Sequence, residues 1–467
     1  MSVDAEKDES GNREGRTSAL IAATLAAFLT PFMSSAVNVA LPTIGREFQM
    51  DAVALSWIAT SFLLSAAIFL VPCGRLGDIF GRKRLFLYGT IIYAASSLAC
   101  ALSMSGLMLI GFRVVQGVGG AMIFGTGVAI LTTLFPPGER GRVLGINVAS
   151  TYLGLSLGPF VGGYLTYLFG WRSIFLSVLV PGIPVIVFVL AKVKGEWYGT
   201  KGERFDIPGG LVYACALIGL MYGFSQLPGY LAWGLIVAGV VSFIVFVRIE
   251  GKVASPLLDL RLFRENVVYA LSNLAALINY SATFAVTFLL SLYLQYIKGL
   301  DPQHAGMIII AQPAMMTLLS PLAGRLSDVI EPRIVASTGM GLTALGIALL
   351  SFLGKDTPVW YIIGVLLLLG SGFAFFSSPN TNAVMSSVEK RWLGVASATL
   401  GTMRLTGQML SMGIAMLVFA VQMGRVQVTP EVFPDFLRSC STAFLIFAVL
   451  CALGVFASLA RGKVRPG

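Results

Sequence analysis

Apolar stretches of about 20 residues follow one another along the whole chain, parted by short polar connections. Two of them, IATSFLLSAAIFLVP ending at Pro72 and LFLYGTIIYAASSLACAL starting at Leu85, contain no charged residue. As helices, such runs cross about 30 Å of hydrocarbon at 1.5 Å per residue. Closed barrels would need short alternating segments instead. The pattern predicts an all-α polytopic membrane protein with fourteen spans. These are 18–41, 54–73, 84–103, 106–133, 142–168, 173–191, 207–226, 230–247, 268–296, 304–323, 334–353, 359–378, 394–422 and 441–460. Residues 1–17 are polar, small and mixed in charge, and read as a disordered tail. The apolar run behind them is too long for a signal-peptide core and lacks a cleavage pattern, so it is the first span.

Charge orients these spans. The chain is 56% hydrophobic and 12% charged, with a net charge of +10. With the N-terminus in the cytoplasm, 24 of the 32 Lys and Arg residues fall in cytoplasmic segments and six in outer ones; Arg113 and Arg404 lie inside spans. That bias predicts a multi-pass protein of the cytoplasmic membrane with both termini inside. It also accounts for the basic balance without nucleic acid. Cys73, Cys100, Cys215, Cys440 and Cys451 show no metal spacing and read as packing residues. His304, the only histidine, follows Asp301-Pro302 at a helix start and reads as part of a solvated cap. There is no phosphate loop, no paired metal ligand and no acid within a span. An enzyme, an ATP-driven pump and a bound cofactor are therefore not expected, and the lack of a sizeable soluble domain disfavours a receptor.

One charged stretch asks for more than orientation. GRLGDIFGRKR, residues 74–84, sets Arg75, Asp78, Arg82, Lys83 and Arg84 into a turn with Gly74, Gly77 and Gly81. It has an echo 250 residues on, where Gly324, Arg325, Leu326 and Asp328 match Gly74, Arg75, Leu76 and Asp78. The copies fall after spans 2 and 10, so the repeat unit is eight spans on. The domains expected are the tail 1–17, a six-helix bundle 18–192, an inserted pair (spans 7 and 8) with linkers 193–265, and a second six-helix bundle 266–467. Repeated halves point to a transporter that rocks around a site between them.

The 74–84 turn resembles the signature loop between spans 2 and 3 of the major facilitator superfamily. Arg113-Val-Val-Gln116-Gly117 resembles its span-4 motif, and Gly154-Leu-Ser-Leu-Gly158-Pro159-Phe-Val-Gly162-Gly163 the span-5 motif of its exporters. The extra helix pair, Asn38-Val-Ala-Leu-Pro42 and the segment from Pro256 through Asp259 to Arg264 resemble the fourteen-span drug:proton antiporter branch. The resemblance implies the major facilitator fold and multidrug efflux by alternating access. It implies a latch at Gly74, Gly77, Asp78, Gly81, Arg82, Lys83 and Arg84, with Asp78 against the start of span 13 near Leu393 and Gly394.

Physical reasons support parts of this. Gly154, Gly158 and Gly162 share one helix face, so a neighbour packs at backbone distance, and Pro159 can kink the span. Arg113 needs a buried partner, with Asn38 and Gln116 as candidates. The cavity candidates are Met33, Asn38, Asn273, Asn279, Gln312, Arg404 and Gln408. The branch's span-1 aspartate would fall at Met33, and two deep arginines suit anionic, zwitterionic or neutral cargo. Proton-coupled export of small amphipathic molecules is the leading expectation, and an uncoupled facilitator or exchanger for a specific metabolite is the alternative. The partners expected are the bilayer, the cargo and protons, with the protein a monomer.

Overall fold

The computed structural model describes residues 3–193, 195–199, 205–253, 256–257, 260–389 and 392–462. Asp259 and the basic residues at 194, 201, 204, 390, 391, 463 and 465 lie outside them. Fourteen long helical segments follow in order, with a short helix at Leu260–Glu265 between the eighth and the ninth. They are α1 (Val3–Phe48), α2 (Ala52–Phe80), α3 (Arg82–Ala101), α4 (Gly106–Leu134), α5 (Pro137–Phe169), α6 (Arg172–Lys192) and α7 (Ile207–Gln226). Then come α8 (Tyr230–Glu250), α9 (Val267–Ile297), α10 (Pro302–Ile309 continued by Ala311–Val329), α11 (Pro332–Leu350), α12 (Val359–Ser386), α13 (Leu393–Gln422) and α14 (Phe433–Ala460). Thirteen are long and apolar enough to cross a membrane among the described residues. The remaining predicted span is α5, a helix of 33 residues. This is an integral membrane protein with the predicted all-helical fold.

The helix starts follow local chemistry. Asp51, Ser105, Asp206, Asn266 and Asp301 each accept a hydrogen bond from the backbone amide three residues on, satisfying a donor that the helix leaves open. Two expectations change. Helix α1 begins at Val3, so helix takes in residues 3–17, assigned above to a disordered tail; that stretch has no proline, and its three Glu, two Arg, one Lys and one Ala are residues that continue a helix well. The 74–84 turn is mostly helix as well. Helix α2 runs on through Phe80, and the chain breaks only at Gly81, whose φ of +116° suits a residue without Cβ.

The packing repeats. In the first half α1 packs on α4, α5 and α6, α2 on α4, and α3 on α4 and α6. In the second, α9 packs on α12, α13 and α14, α10 on α12, and α11 on α12 and α14, the same set shifted by eight. The halves meet along α1–α9, α2–α13 and α5–α10, while α7 and α8 pair with each other and α7 rests on α2 and α13. The alternating run of the helices puts the start of α1, the end of α14 and Gly81 at one end, the terminal end, and the connections around Gln49, Gly170 and Gly299 at the far end.

Helix α5 is fastened to α1 by polar groups as well as by its glycines. Asn147 and Ser150 donate to the carbonyls of Ala23 and Thr24 at 3.2 and 3.0 Å. Two bonds serve carbonyls that a proline has deprived of their helical donor. Thr151 donates to Ala27 O, four residues before Pro31, and Ser35 donates to Leu155 O, four before Pro159. In a bilayer no water meets such carbonyls, so neighbouring hydroxyls must.

Candidate functional site

A cavity of about 90 Å³ lies between the halves, lined from α1, α5, α9, α10, α12 and α13. That is room for a few waters and is well short of the roughly 300–1,000 Å³ of ordinary ligand pockets. Asn38, Gln312 and Gln408 line it, as does Pro159. Ser35, Thr283, Thr287, Leu155, Phe284, Met316, Phe373 and Tyr280 join them, none of them singled out in the sequence. Four other predicted cavity residues do not line it. Met33, Asn273 and Asn279 are fully buried and stand off the cavity lining. Asn273 donates to Tyr269 O at 2.9 Å, one turn back along α9. Arg404 stands behind the wall, its guanidinium 5.2 Å from the centre of the Tyr280 ring.

The far end is shut at backbone distance. Gly163 of α5 faces Pro302 of α10 so closely that a Cβ would sit 2.4 Å from the Pro302 carbonyl. Gly306 faces Pro159 O more closely still, where a Cβ would fall at 2.2 Å. Gln295 donates to Val39 O at 2.8 Å, Tyr296 to Pro42 O at 3.4 Å and Gln427 to Gln49 O at 2.9 Å, all between the halves. The other three glycines of the span-5 motif, Gly154, Gly158 and Gly162, face Phe28, Phe32–Ser35 and Ala36 of α1. One motif thus serves two contacts, one within a half and one between halves. Nearer the middle, Tyr152 and Ser377 share a hydrogen bond of 2.6 Å, and Ser156 donates to Pro313 O at 3.0 Å. His304 and Asp301 form the cap read from sequence, with Nδ1 and Oδ2 at 2.8 Å. Burial alone would raise the Asp301 carboxyl, but the His304 amide and ring more than offset that and hold it below its ordinary value.

Arg113 is fully buried and faces away from the cavity. It donates to Ile58 O at 3.0 Å and to Gln116, stands over the Phe62 ring at 4.5 Å, and Gln116 passes the chain on to Ser97 at 2.6 Å. Of its two predicted partners only Gln116 is used, since Asn38 turns to the cavity. Gly117 packs against Phe62 O of α2. A second arginine does the same work in the other half. Arg461, counted from sequence as a charge that only orients the last span, is wholly buried at the end of α14. It donates to Asn380 Oδ1 and Pro332 O at 2.8 Å each and to Ser272 at 3.2 Å. Burial pushes its guanidinium down to about 10, with Glu331 opposing and Arg333 adding to the shift.

At the terminal end Asp78 accepts from Arg82 Nε at 2.7 Å, and Arg82 also reaches Ala129 O at 3.2 Å and Thr133. Gly74 and Gly77 face Gly125 and Thr126 of α4, and Gly324 faces Ser378 of α12 in the matching place of the second half. The linker after α6 folds over this segment. Arg82 N donates to Trp197 O at 2.9 Å and Gly199 N to Asp78 O at 3.0 Å. Glu196 then caps α3, accepting from Lys83 N at 2.8 Å and Arg84 N at 3.2 Å. Gly81 offers no side chain for that cap, so a carboxylate from a distant linker supplies it at the positive end of the helix. Nothing in the sequence pairs residue 196 with residue 83, and Glu196 was not singled out.

The family model described as Major Facilitator Superfamily matches residues 23–249 and 272–466. The multidrug resistance protein Stp of Mycobacterium tuberculosis is 32% identical over 401 residues, 85% of this chain and 74% of that protein. The riboflavin transporter RibZ of Clostridioides difficile is 29% identical over 385 residues, 82% of this chain and 84% of that protein. Among solved structures, a bacterial homolog of the human lysosomal transporter Spinster, in an inward-facing and unoccupied conformation, superposes with a TM-score of 0.70 at 17% identity. That match covers 96% of this chain and 97% of the other, and shows a shared fold.

Proposed function

Because the chain belongs to the Major Facilitator Superfamily, we propose that it is a secondary active transporter exporting small amphipathic molecules across the cytoplasmic membrane by alternating access. The observation that carries this is a mostly apolar cavity with a few polar groups between two repeated halves, shut at one end by the Gly163–Pro302 and Pro159–Gly306 crossings. Contacts made in only one conformation bias an equilibrium by their own energy. Rocking the halves about the cavity breaks the far-end set and lets cargo leave there. The excess of Lys and Arg at the terminal end favours a cytoplasmic position for that end, which makes the far end the exit in this reading. In the state open at the far end, Asp78 engages the start of α13 and latches the cytoplasmic side. In the conformation described here it is held by Arg82 instead. The names of the relatives, a multidrug resistance protein and a riboflavin transporter, favour organic cargo.

Proton exchange drives this export in the reading we favour, through carboxylates at span edges such as Glu47, Asp78 or Asp206. A second reading is favoured by one observation. No acid lines the cavity, and Met33 holds the span-1 position where the drug-antiporter branch carries one. The protein then works as a facilitator or exchanger. Efflux of a dye from proteoliposomes, with and without an imposed pH gradient, separates the two. A proton moving down 100 mV carries about 2.3 kcal/mol, enough for visible uphill accumulation. Accumulation against the dye's own gradient supports the antiporter, movement only down that gradient supports the facilitator, and no protein-dependent flux of any dye rejects both.

A further inference from the structure

The cavity wall has a chemical bias that narrows what it can hold. Asn38 Oδ1 and Gln312 Oε1 are buried on lining residues and have no hydrogen-bond partner among the described residues. Asn38 is 1% exposed, so its acceptor is withdrawn from bulk water. Buried acceptors left open in this way mark places where a bound molecule supplies the donor. Tyr280 and Phe373 meet edge to face with ring centres 5.4 Å apart, and both line the cavity beside Phe284. Behind Tyr280 stands Arg404, whose Nε has no hydrogen-bond partner and which has no ion-pair partner among the described residues. No lining residue is an acid.

We propose that this cavity, once the halves rock apart and widen it beyond the about 90 Å³ of this conformation, binds flat aromatic molecules that carry hydrogen-bond donors and a negative charge. The ring lies on the Tyr280–Phe373 pair, the donors meet Asn38 and Gln312, and the acidic group turns toward Arg404. A cation of the same shape meets an unopposed guanidinium across a wall with no carboxylate, in a setting where water screens weakly. A neutral ring loses the charge contribution and keeps the others. The site named here is the cargo site of the transporter reading, yet its occupancy can be measured without any transport.

Three 2-naphthols that carry a negative, a neutral or a positive group of similar size at position 6 test it: 6-hydroxynaphthalene-2-sulfonate, 6-hydroxy-2-naphthyl methyl sulfone and the 6-hydroxy-2-naphthyl trimethylammonium ion. Binding to the purified full chain in detergent is followed by equilibrium dialysis. The sulfonate is expected to bind at least about tenfold more tightly than the ammonium compound. Arg404→Gln brings the two within about threefold, while Arg404→Lys, which keeps the charge, retains most of the preference. Methylating the naphthol hydroxyl weakens the sulfonate in the native chain. Equal or tighter binding of the cation, a preference that survives Arg404→Gln, a methyl ether that binds equally well, or no binding by any of the three overturns the proposal. Flux of these probes in vesicles without charge preference also counts against the site and leaves the exporter reading standing. Charge-selective binding without flux does the reverse.

Discussion

Replacing Gly163 by alanine separates a gate from ordinary packing. The new Cβ would stand 2.4 Å from Pro302 O and 3.3 Å from Gln303 Cα, both backbone-held positions on the other half. Ordinary contact starts near 3.4 Å, so α5 and α10 must part by about 1 Å. Overpacking of this kind costs about 1–3 kcal/mol. Because the contact joins the two halves, that cost falls on the far-end-closed state alone. The closed-to-open ratio should therefore drop about 5- to 150-fold. Gly154→Ala is the control. Its Cβ would clash equally, at 2.4 Å from Phe28 O, but α1 and α5 belong to one half, so every conformation bears the cost. Gly154→Ala should lower the Tm and leave the equilibrium alone. The reporter is Thr287→Cys, a cavity-lining position, in a chain where the exposed Cys215 is Ser and the other four cysteines stay buried. An impermeant maleimide added at the far end should label Gly163→Ala faster in proportion to the shift. Unchanged labelling in a folded Gly163→Ala chain, or the same acceleration in Gly154→Ala, would refute the assignment of this crossing as the gate.

Asp78→Asn weakens the bond to Arg82 and removes the charge needed at α13; cargo efflux should slow about tenfold with insertion intact, since a carboxylate at a helix start is worth up to ~2 kcal/mol, and full efflux would sink the latch. Glu196→Ala leaves the Lys83 and Arg84 amides uncapped; a loss of about 1 kcal/mol should lower the Tm of a chain this long by about 1 °C, and an unchanged melt would mean that the linker contact adds nothing. Arg113→Ala and Arg461→Ala each strip buried acceptors of a charged donor; each should cost about 2–4 kcal/mol and cut the yield of folded protein, whereas normal Tm with lost transport would make either arginine functional instead. Asp301 has a folded value below the 3.8 of a free carboxyl, so its cap contributes stability at neutral pH that is lost as the pH falls through that folded value. The Tm gap between the native chain and Asp301→Asn should accordingly close as the pH is lowered below 3.8.

Local physical chemistry is enough to read the all-helical membrane fold and the repeat from the chain itself. A helix in hydrocarbon must satisfy its own backbone, so apolar length alone marks each crossing, and Gly74 with Gly324 marks the repeat at matching helix ends. The glycine face of α5 was legible for the same reason, since residues four apart must share a helix side. Depth and azimuth were not legible. Asn38 and Asn279 look alike in sequence, yet one lines the cavity and the other is buried away from its lining, because neighbouring helices decide which face of a span meets which surface. The aromatic wall of Tyr280, Phe284 and Phe373 is hidden for a related reason: rings on a span read the same whether they face lipid, a neighbour or a cargo. Arg461 shows the limit most plainly. Counted along the chain it is one more basic residue behind a span, and only the convergence of α9, α11 and α12 around it turns it into the buried tie of the second half. What the chain alone determines is what each segment does against lipid, whereas what the segments do against one another depends on contacts between residues far apart in sequence, which only the packed structure brings together.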